Sequence, residues 1–376
     1  MSGRLHLAVE IGGAGAHPGA WRLPGAADPF DAGGYLARAR AAAAAGLDLV
    51  TIDDTFTPPA PDPAAIPGTP DAVAVAARVA PAVAGIGFVP VVPVTHTEPF
   101  HVSKAIATLD FVATGRAGWQ PDVSRTAAEA DLFGRTGPQP ADVLWREAGE
   151  VADAVSRLWD SWEDDAEIRD AATGRFVDRD KLHYVDVEGE FFSVKGPSIT
   201  PRPPQGRPLT VVRGDEPEAL PVAARYADVV RVAAPSVAEA AELRERVRTA
   251  VADAGRDPET VTVLLDVEVL LGADAADTLR ELDRLAPSGT DTAAATLRHT
   301  GPADELAALL RDAAEERAAD GFTLLPLAYA AGADGLGGVT DALVPALGDL
   351  WSPAPYDESL RGRFGLARPA SRYAST

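Results

Sequence analysis

The 376-residue chain contains no cysteine, which excludes disulfides, thiolate metal ligands and cysteine nucleophiles, and which suits a reducing cytoplasm. Lysine is almost as scarce. Only Lys104, Lys181 and Lys195 occur, against abundant arginine, as in proteins from GC-rich genomes. An acidic halophile surface is the other reading of the same numbers. Positive charge is in deficit: 34 Lys and Arg face 56 Asp and Glu, for a net charge of -22. That balance argues against nucleic acid or an anionic membrane as partner. No apolar run reaches spanning length, and "MSGRLHLAVEIGG" lacks the apolar stretch of a signal peptide. No phosphate-binding P-loop, no strand-linked G-x-G-x-x-G and no Ser/His/Asp order is present. No His-x-x-x-His or His/carboxylate spacing points to a metal.

What the sequence does contain is a rhythm of apolar runs and helical patterns. "LHLAVEIGG", "LDLVTIDD", "GIGFVPVVP", "RAGWQPDVS", "PLTVVRG", "ADVVRVAA", "VTVLLDVEVLLG" and "FTLLPLA" read as eight strands with helices between them. Buried parallel strands read as continuous apolar runs, and these do. An α/β fold closed as a (β/α)8 TIM-type barrel is the simplest arrangement, with a doubly wound open sheet as the alternative. Leu144, Ala148, Val151, Val155, Leu158 and Trp162 have the spacing of one buried helix face. The whole of 1–376 is expected to form one domain with two additions. Residues 163–207 break the rhythm, and "KLHYVDVEGEFFSVKGP" reads as an inserted hairpin turning at Glu188-Gly189. The tail, 350–376, is expected to wrap the outside of the barrel or a partner subunit.

In such a barrel the catalytic groups lie at the carboxyl ends of strands. The candidates there are Asp53 and Asp54 after the second strand, Thr95, His96, Thr97 and Glu98 after the third, and Gln120, Asp122 and Ser124 at the fourth. Asp215 and Glu216 follow the fifth. Each could instead be a helix cap or turn residue. His17, His96 and His101 are candidates for acid/base chemistry. His6, His183 and His299 read as structural.

Several segments extend this reading. "HPGAWRLPGA" (17–26), "TEPFHVSKAIATLDFVATGRAGW" (97–119), "LWDSWEDDA" (158–166), "GPSITPRPPQGRP" (196–208), "AADGFTLLP" (318–326) and "LRGRFGLARPASRY" (360–373) resemble the bacterial luciferase-like flavin monooxygenases. The branch is that of the nitrilotriacetate, pristinamycin and dibenzothiophene-sulfone monooxygenases. The resemblance implies a barrel that uses reduced FMN from a separate flavin reductase, with oxygen, on a small-molecule substrate, and that forms a homodimer or larger. It places flavin contacts at Asp54, Thr95, Thr97, Gln120, Ser124, Trp145, Gly214, Asp215 and Glu216. Two departures stand out. Where the family has Trp-Asn, this chain has Trp119-Gln120, followed by Pro121 and Asp122. Where the family has a Gly-Ser-Ser or Gly-Ala-Ser phosphate loop, it has Gly214-Asp215-Glu216.

Ionised carboxylates are acceptors only. One carboxylate about 4 Å from a phosphate charge costs on the order of 1–4 kcal/mol, against roughly 8 kcal/mol for a micromolar affinity. Strand alternation is expected to turn Arg213 away from this loop. The resemblance therefore leaves an alternative: a flavin-free homologue acting as a binding protein or partner subunit. A deazaflavin enzyme is a third reading, burdened by the same acidic loop. The region 272–302 is expected to be short for the family, with part of a substrate lid missing.

Overall fold

Eight of the apolar runs lie side by side in one closed parallel sheet. A computed structural model of the protein describes residues 4–59, 62–66, 68–134, 137–329, 336–353 and 359–373. The first half alternates β1 (His6–Glu10), α1 (Ala32–Ala44), β2 (Leu49–Ile52), α2 (Ala72–Val79), β3 (Gly87–Pro93), α3 (Pro99–Val112), β4 (Gly118–Asp122), α4 (Ala127–Phe133) and α5 (Ala141–Asp160). The insertion carries two short antiparallel pairs. One is β5 (Glu167–Asp170) with β6 (Arg175–Val177), the other β7 (Val187–Glu188) with β8 (Ser193–Val194). The second half runs β9 (Leu209–Arg213), α6 (Leu220–Tyr226), β10 (Val229–Val232), α7 (Val237–Asp253), β11 (Thr262–Leu271), α8 (Ala275–Leu285), β12 (Leu297–Gly301), α9 (Ala303–Glu315) and β13 (Gly321–Pro326). Two short helices, α10 (Val344–Leu347) and α11 (Leu360–Arg363), follow. The barrel order is β1-β2-β3-β4-β9-β10-β11-β13, and β13 pairs back to β1. β12 is a ninth strand outside the ring, paired to β11.

Alternation along each strand sorts the side chains. Val9, Val50, Val230, Val263, Leu265 and Phe322 face the helices in the main core. Ala8, Leu49, Val89, Leu209, Val211, Val229 and Leu264 point inward and fill the lower barrel. The expected buried face of α5 is present: Leu144, Ala148, Val151, Val155 and Leu158 are all buried. α1 begins at Asp31, whose carboxylate accepts the N–H groups of Gly33 and Gly34.

The position of Pro121 follows from the ladder. Asp122 O accepts from Val94 N at 2.8 Å, so that residue's backbone faces β3. The backbone of Pro121 then faces β9, where pairing ends at Trp119–Thr210. A missing N–H costs nothing there, and the two strands part towards the mouth.

Residues 272–302 contain α8 and β12. Two expectations need correction. The hairpin turns over 189–192, with Gly189 N donating to Phe192 O at 3.0 Å. The tail does more than wrap the outside. Leu360 and Phe364 close the bottom of the barrel among Ala8, Leu49 and Val89, while Arg363 donates to Leu47 O and Gly85 O. Beyond that plug, Arg368 pairs with Asp164, and Tyr373 stacks on His183 at 4.0 Å.

Candidate active site at the barrel mouth

The upper barrel interior is charged rather than apolar. Arg231, 3% exposed on β10, donates to Asp266 Oδ1 at 2.9 Å and Oδ2 at 3.0 Å, and to Gln120 Oε1 at 3.2 Å. Arg213 donates to Asp266 Oδ2 at 3.2 Å and brackets Asp215 with two further 3.2 Å bonds. This overturns the expectation that Arg213 turns away. It continues the inward row of Leu209 and Val211, and Asp215 folds back onto it. Glu10, Asp53 and Asp122 rise from β1, β2 and β4 around this floor. Burial, then the charge of Asp53, pushes the Glu10 carboxyl up to about 7. Crowding at the mouth, where little solvent reaches the carboxyl, also raises Asp53 although the residue itself is exposed, and burial raises Asp122. Sequence reasoning missed Glu10, Arg231 and Asp266. Their signal was a charged residue inside an otherwise apolar run, as with Arg231 in "VVRVAA" and Asp266 in "VLLDV".

The predicted ligands fall at this end of the barrel, in two groups. Thr95 Oγ1 accepts Ser124 N at 2.9 Å. Both line a cavity of about 300 Å³ with His96, Leu144, Glu147 and the hairpin-tip residue Phe191. Ser124 is 4% exposed, and its hydroxyl has no hydrogen-bond partner among the described residues. A buried unmade hydrogen bond costs about 1–3 kcal/mol. It marks a place for a ligand atom. Glu147 in the same wall is pushed up to about 7 by burial and by Glu150.

The second group is a clamp. Arg125 donates to Glu216 at 2.6 and 2.8 Å, and Trp145 Nε1 donates to the same carboxylate at 2.9 Å. These bonds hold Glu216 below the usual carboxylate range against the opposing effect of its burial. Gly214 is needed for close approach: a Cβ there would lie 2.4 Å from Val230 Cγ1. Arg125 had no signal in the sequence, since its role depends on a partner 91 residues away.

Asp54 is engaged structurally. It accepts Ala72 N at 2.9 Å at the start of α2 and Thr55 N at 2.8 Å, and burial lifts it to about 6. Thr97 Oγ1 donates to Pro93 O at 3.1 Å. His17 is buried. Its Nδ1 accepts Gly19 N, its Nε2 lies 3.3 Å from Asp283, and burial lowers its basicity. His96 stacks on Phe133 at 4.6 Å, and His101 is exposed on α3.

The residues present fit a flavin ring. The buried Ser124 hydroxyl needs a partner, and Thr95 and the Gln120 amide stand at neighbouring strand ends. At the phosphate loop, two guanidiniums are at hand, but both hold carboxylates.

Comparison with known proteins gives the context. The luciferase-like monooxygenase family description matches residues 13–339. One of the pristinamycin IIA synthase subunits of Streptomyces pristinaespiralis is 33% identical over 348 residues, covering 91% of this chain and 92% of that one. N-acetyl-S-(2-succino)cysteine monooxygenase of Bacillus subtilis (strain 168) is 25% identical over 439 residues, covering 99% and 98%. In structure, the EDTA monooxygenase of Chelativorans sp. BNC1 superimposes with a TM-score of 0.83 over 97% of this chain and 99% of that one, at 22% identity.

Proposed function

Because the chain belongs to the luciferase-like monooxygenase family, we propose that it is a flavin-dependent monooxygenase acting on a small organic substrate with oxygen. Bound reduced flavin, FMN from a separate reductase, would supply the electrons and activate the oxygen. The protein's part is to seat the ring and exclude water. Ser124 and Thr95 offer hydroxyls to its edge, Gln120 orients its amide through Arg231, and Phe191 with Leu144 walls off solvent. The observation that carries this reading is the Ser124 hydroxyl, buried and unpartnered at the carboxyl end of β4. Arg125 and Arg213 support a phosphate at the loop after β9, in competition with Glu216 and Asp215.

Flavin fluorescence quenching tests the binding half. FMN is expected to quench on mixing, and Ser124→Ala to weaken it about fivefold, the value of one neutral hydrogen bond. Photoreduced FMN with oxygen and the substrate tests the chemistry. Unquenched FMN fluorescence at millimolar protein would sink the reading.

Two further parts belong to the same proposal. Alanine-rich α1 leaves little polar surface, which supports a homodimer or larger assembly, and light scattering should give at least twice the 39.0 kDa of one chain. Among the described residues no helix is long and apolar enough to cross a membrane. The absence of cysteine supports a cytoplasmic setting.

A further inference from the structure

The cavity of about 300 Å³ has a side that seating a flavin edge does not use. Ser124 and Thr95 line it from the strand ends, while Val143, Leu144 and Glu147 line it from α5 and Phe191 from the hairpin tip. Glu147 is half-buried, and its carboxyl makes no hydrogen bond or ion pair among the described residues. Its polar neighbours are all engaged. Glu190 pairs with Arg146 at 2.6 Å, Gln139 Nε2 donates to Gly137 O at 3.1 Å, and His96 stacks on Phe133. Glu150, one turn along α5, accepts the amides of the tip.

The Ser124 hydroxyl borders the same space, 4% exposed and without a partner among the described residues. Two groups of different chemistry, one beyond β4 and one on α5, thus face one cavity with their hydrogen bonds unmade. Buried polar groups are otherwise satisfied almost without exception, so the pair points to an occupant.

Resting on the monooxygenase reading, we propose that this cavity takes an uncharged substrate with an oxo oxygen, such as a ketone or amide, and that Glu147 selects it by donating a hydrogen bond to that oxygen. Burial and the charge of Glu150 push the Glu147 carboxyl up to about 7. Below neutral pH it therefore carries the O–H that a carboxylate lacks. The Ser124 hydroxyl is left for the flavin edge, and Val143, Leu144 and Phe191 suit the apolar body of such a molecule. An anionic substrate meets like charge at Glu190 and, above pH 7, at Glu147.

Binding to the full chain without flavin tests this, because it does not depend on oxygenation. Acetophenone, ethylbenzene, benzoate and 1-phenylethylammonium share a ring and differ in one substituent. Each is titrated by calorimetry at pH 6 and pH 8.5 at matched ionic strength. At pH 6 acetophenone should bind about fivefold more tightly than ethylbenzene, the value of one hydrogen bond, and more tightly than either ion. At pH 8.5 the preference should vanish, because Glu147 has become an acceptor. Glu147→Leu should bind the two neutral compounds alike at both pH values. Glu147→Gln keeps an N–H donor and has no proton to lose, so it should hold the preference at both, and it decides the matter should Glu147→Leu not fold. Equal affinities for ketone and hydrocarbon at pH 6, tighter binding of an ion at that pH, an unchanged preference at pH 8.5, or one that survives in Glu147→Leu would each overturn the proposal. Ketone binding as expected beside unquenched FMN fluorescence would sink the monooxygenase reading and leave this site standing. FMN quenching beside equal affinities would sink this inference alone.

Discussion

At the scale of single residues, the mouth carboxylates tie stability to pH. Glu10 titrates at about 7 in the folded protein and at 4.5 as a free side chain. Between those values the folded state holds more protons than the unfolded one, so stability falls as pH rises. Below about 4.5 Glu10 contributes nothing, and above 7 the whole penalty applies, on the order of 3 kcal/mol. Glu10→Gln should therefore stabilise the protein at pH 8, leave it unchanged at pH 4.5, and flatten the slope between, as urea denaturation at several pH values would show. Glu147, raised to about 7 by burial and Glu150, keeps part of that slope in the variant. Glu216 sets a second prediction. Glu216→Ser frees Arg125 and Trp145 of their carboxylate and should tighten FMN at least tenfold, about 1.4 kcal/mol, with little change for riboflavin. Asp215→Ser should add less, since Asp215 leans on Arg213, which Asp266 also holds. Equal FMN affinities in wild type and Glu216→Ser would show that the phosphate lies elsewhere.

At the scale of elements, the hairpin tip hangs from one side chain. Glu150 on α5 accepts Glu190 N at 2.9 Å and Phe191 N at 3.3 Å, and packs so closely that a Cβ on Gly189 would lie 2.2 Å from its Oε2. Glu150→Ala should loosen the tip by about 1–3 kcal/mol of local stability. Amide exchange at 189–192 should accelerate while exchange in β1 and β13 stays unchanged. Gly189→Ala should reproduce the effect by clash. Phe191 would then wall its cavity less tightly. The elements differ in how far the sequence revealed them. The barrel strands were legible because burial on both faces made continuous apolar runs, and α5 because its buried face recurs at helical spacing. β12 escaped because "LRHTG" lies outside the ring and is half-buried throughout. α4 escaped because a seven-residue helix shows less than two turns of pattern, although Thr126 and Glu129 form its capping box. The site was legible as a set of strand ends. Its electrostatics were not, because Arg231–Asp266 and Arg125–Glu216 join segments 35 and 91 residues apart.

For the molecule as a whole, chemistry and closure sit at opposite ends of the barrel. Polar groups crowd the mouth, while the bottom is sealed by a segment from the far end of the chain. Leu360 sits so tightly over Gly87 that a Cβ there would lie 2.4 Å from Leu360 Cδ1. Leu360→Ala should cost about 2–5 kcal/mol, read by urea denaturation, with flavin binding preserved because the cavity lies at the other end. The same arrangement has a consequence for biosynthesis. Arg363 donates to Leu47 O across 316 residues of chain, so the first strands wait on the ribosome for a seal made only after the eighth barrel strand. Until then the nascent barrel is a funnel with an apolar floor open to solvent, a state exposed to aggregation. A chain released before residues 360–364 would have all eight barrel strands and an unsealed floor.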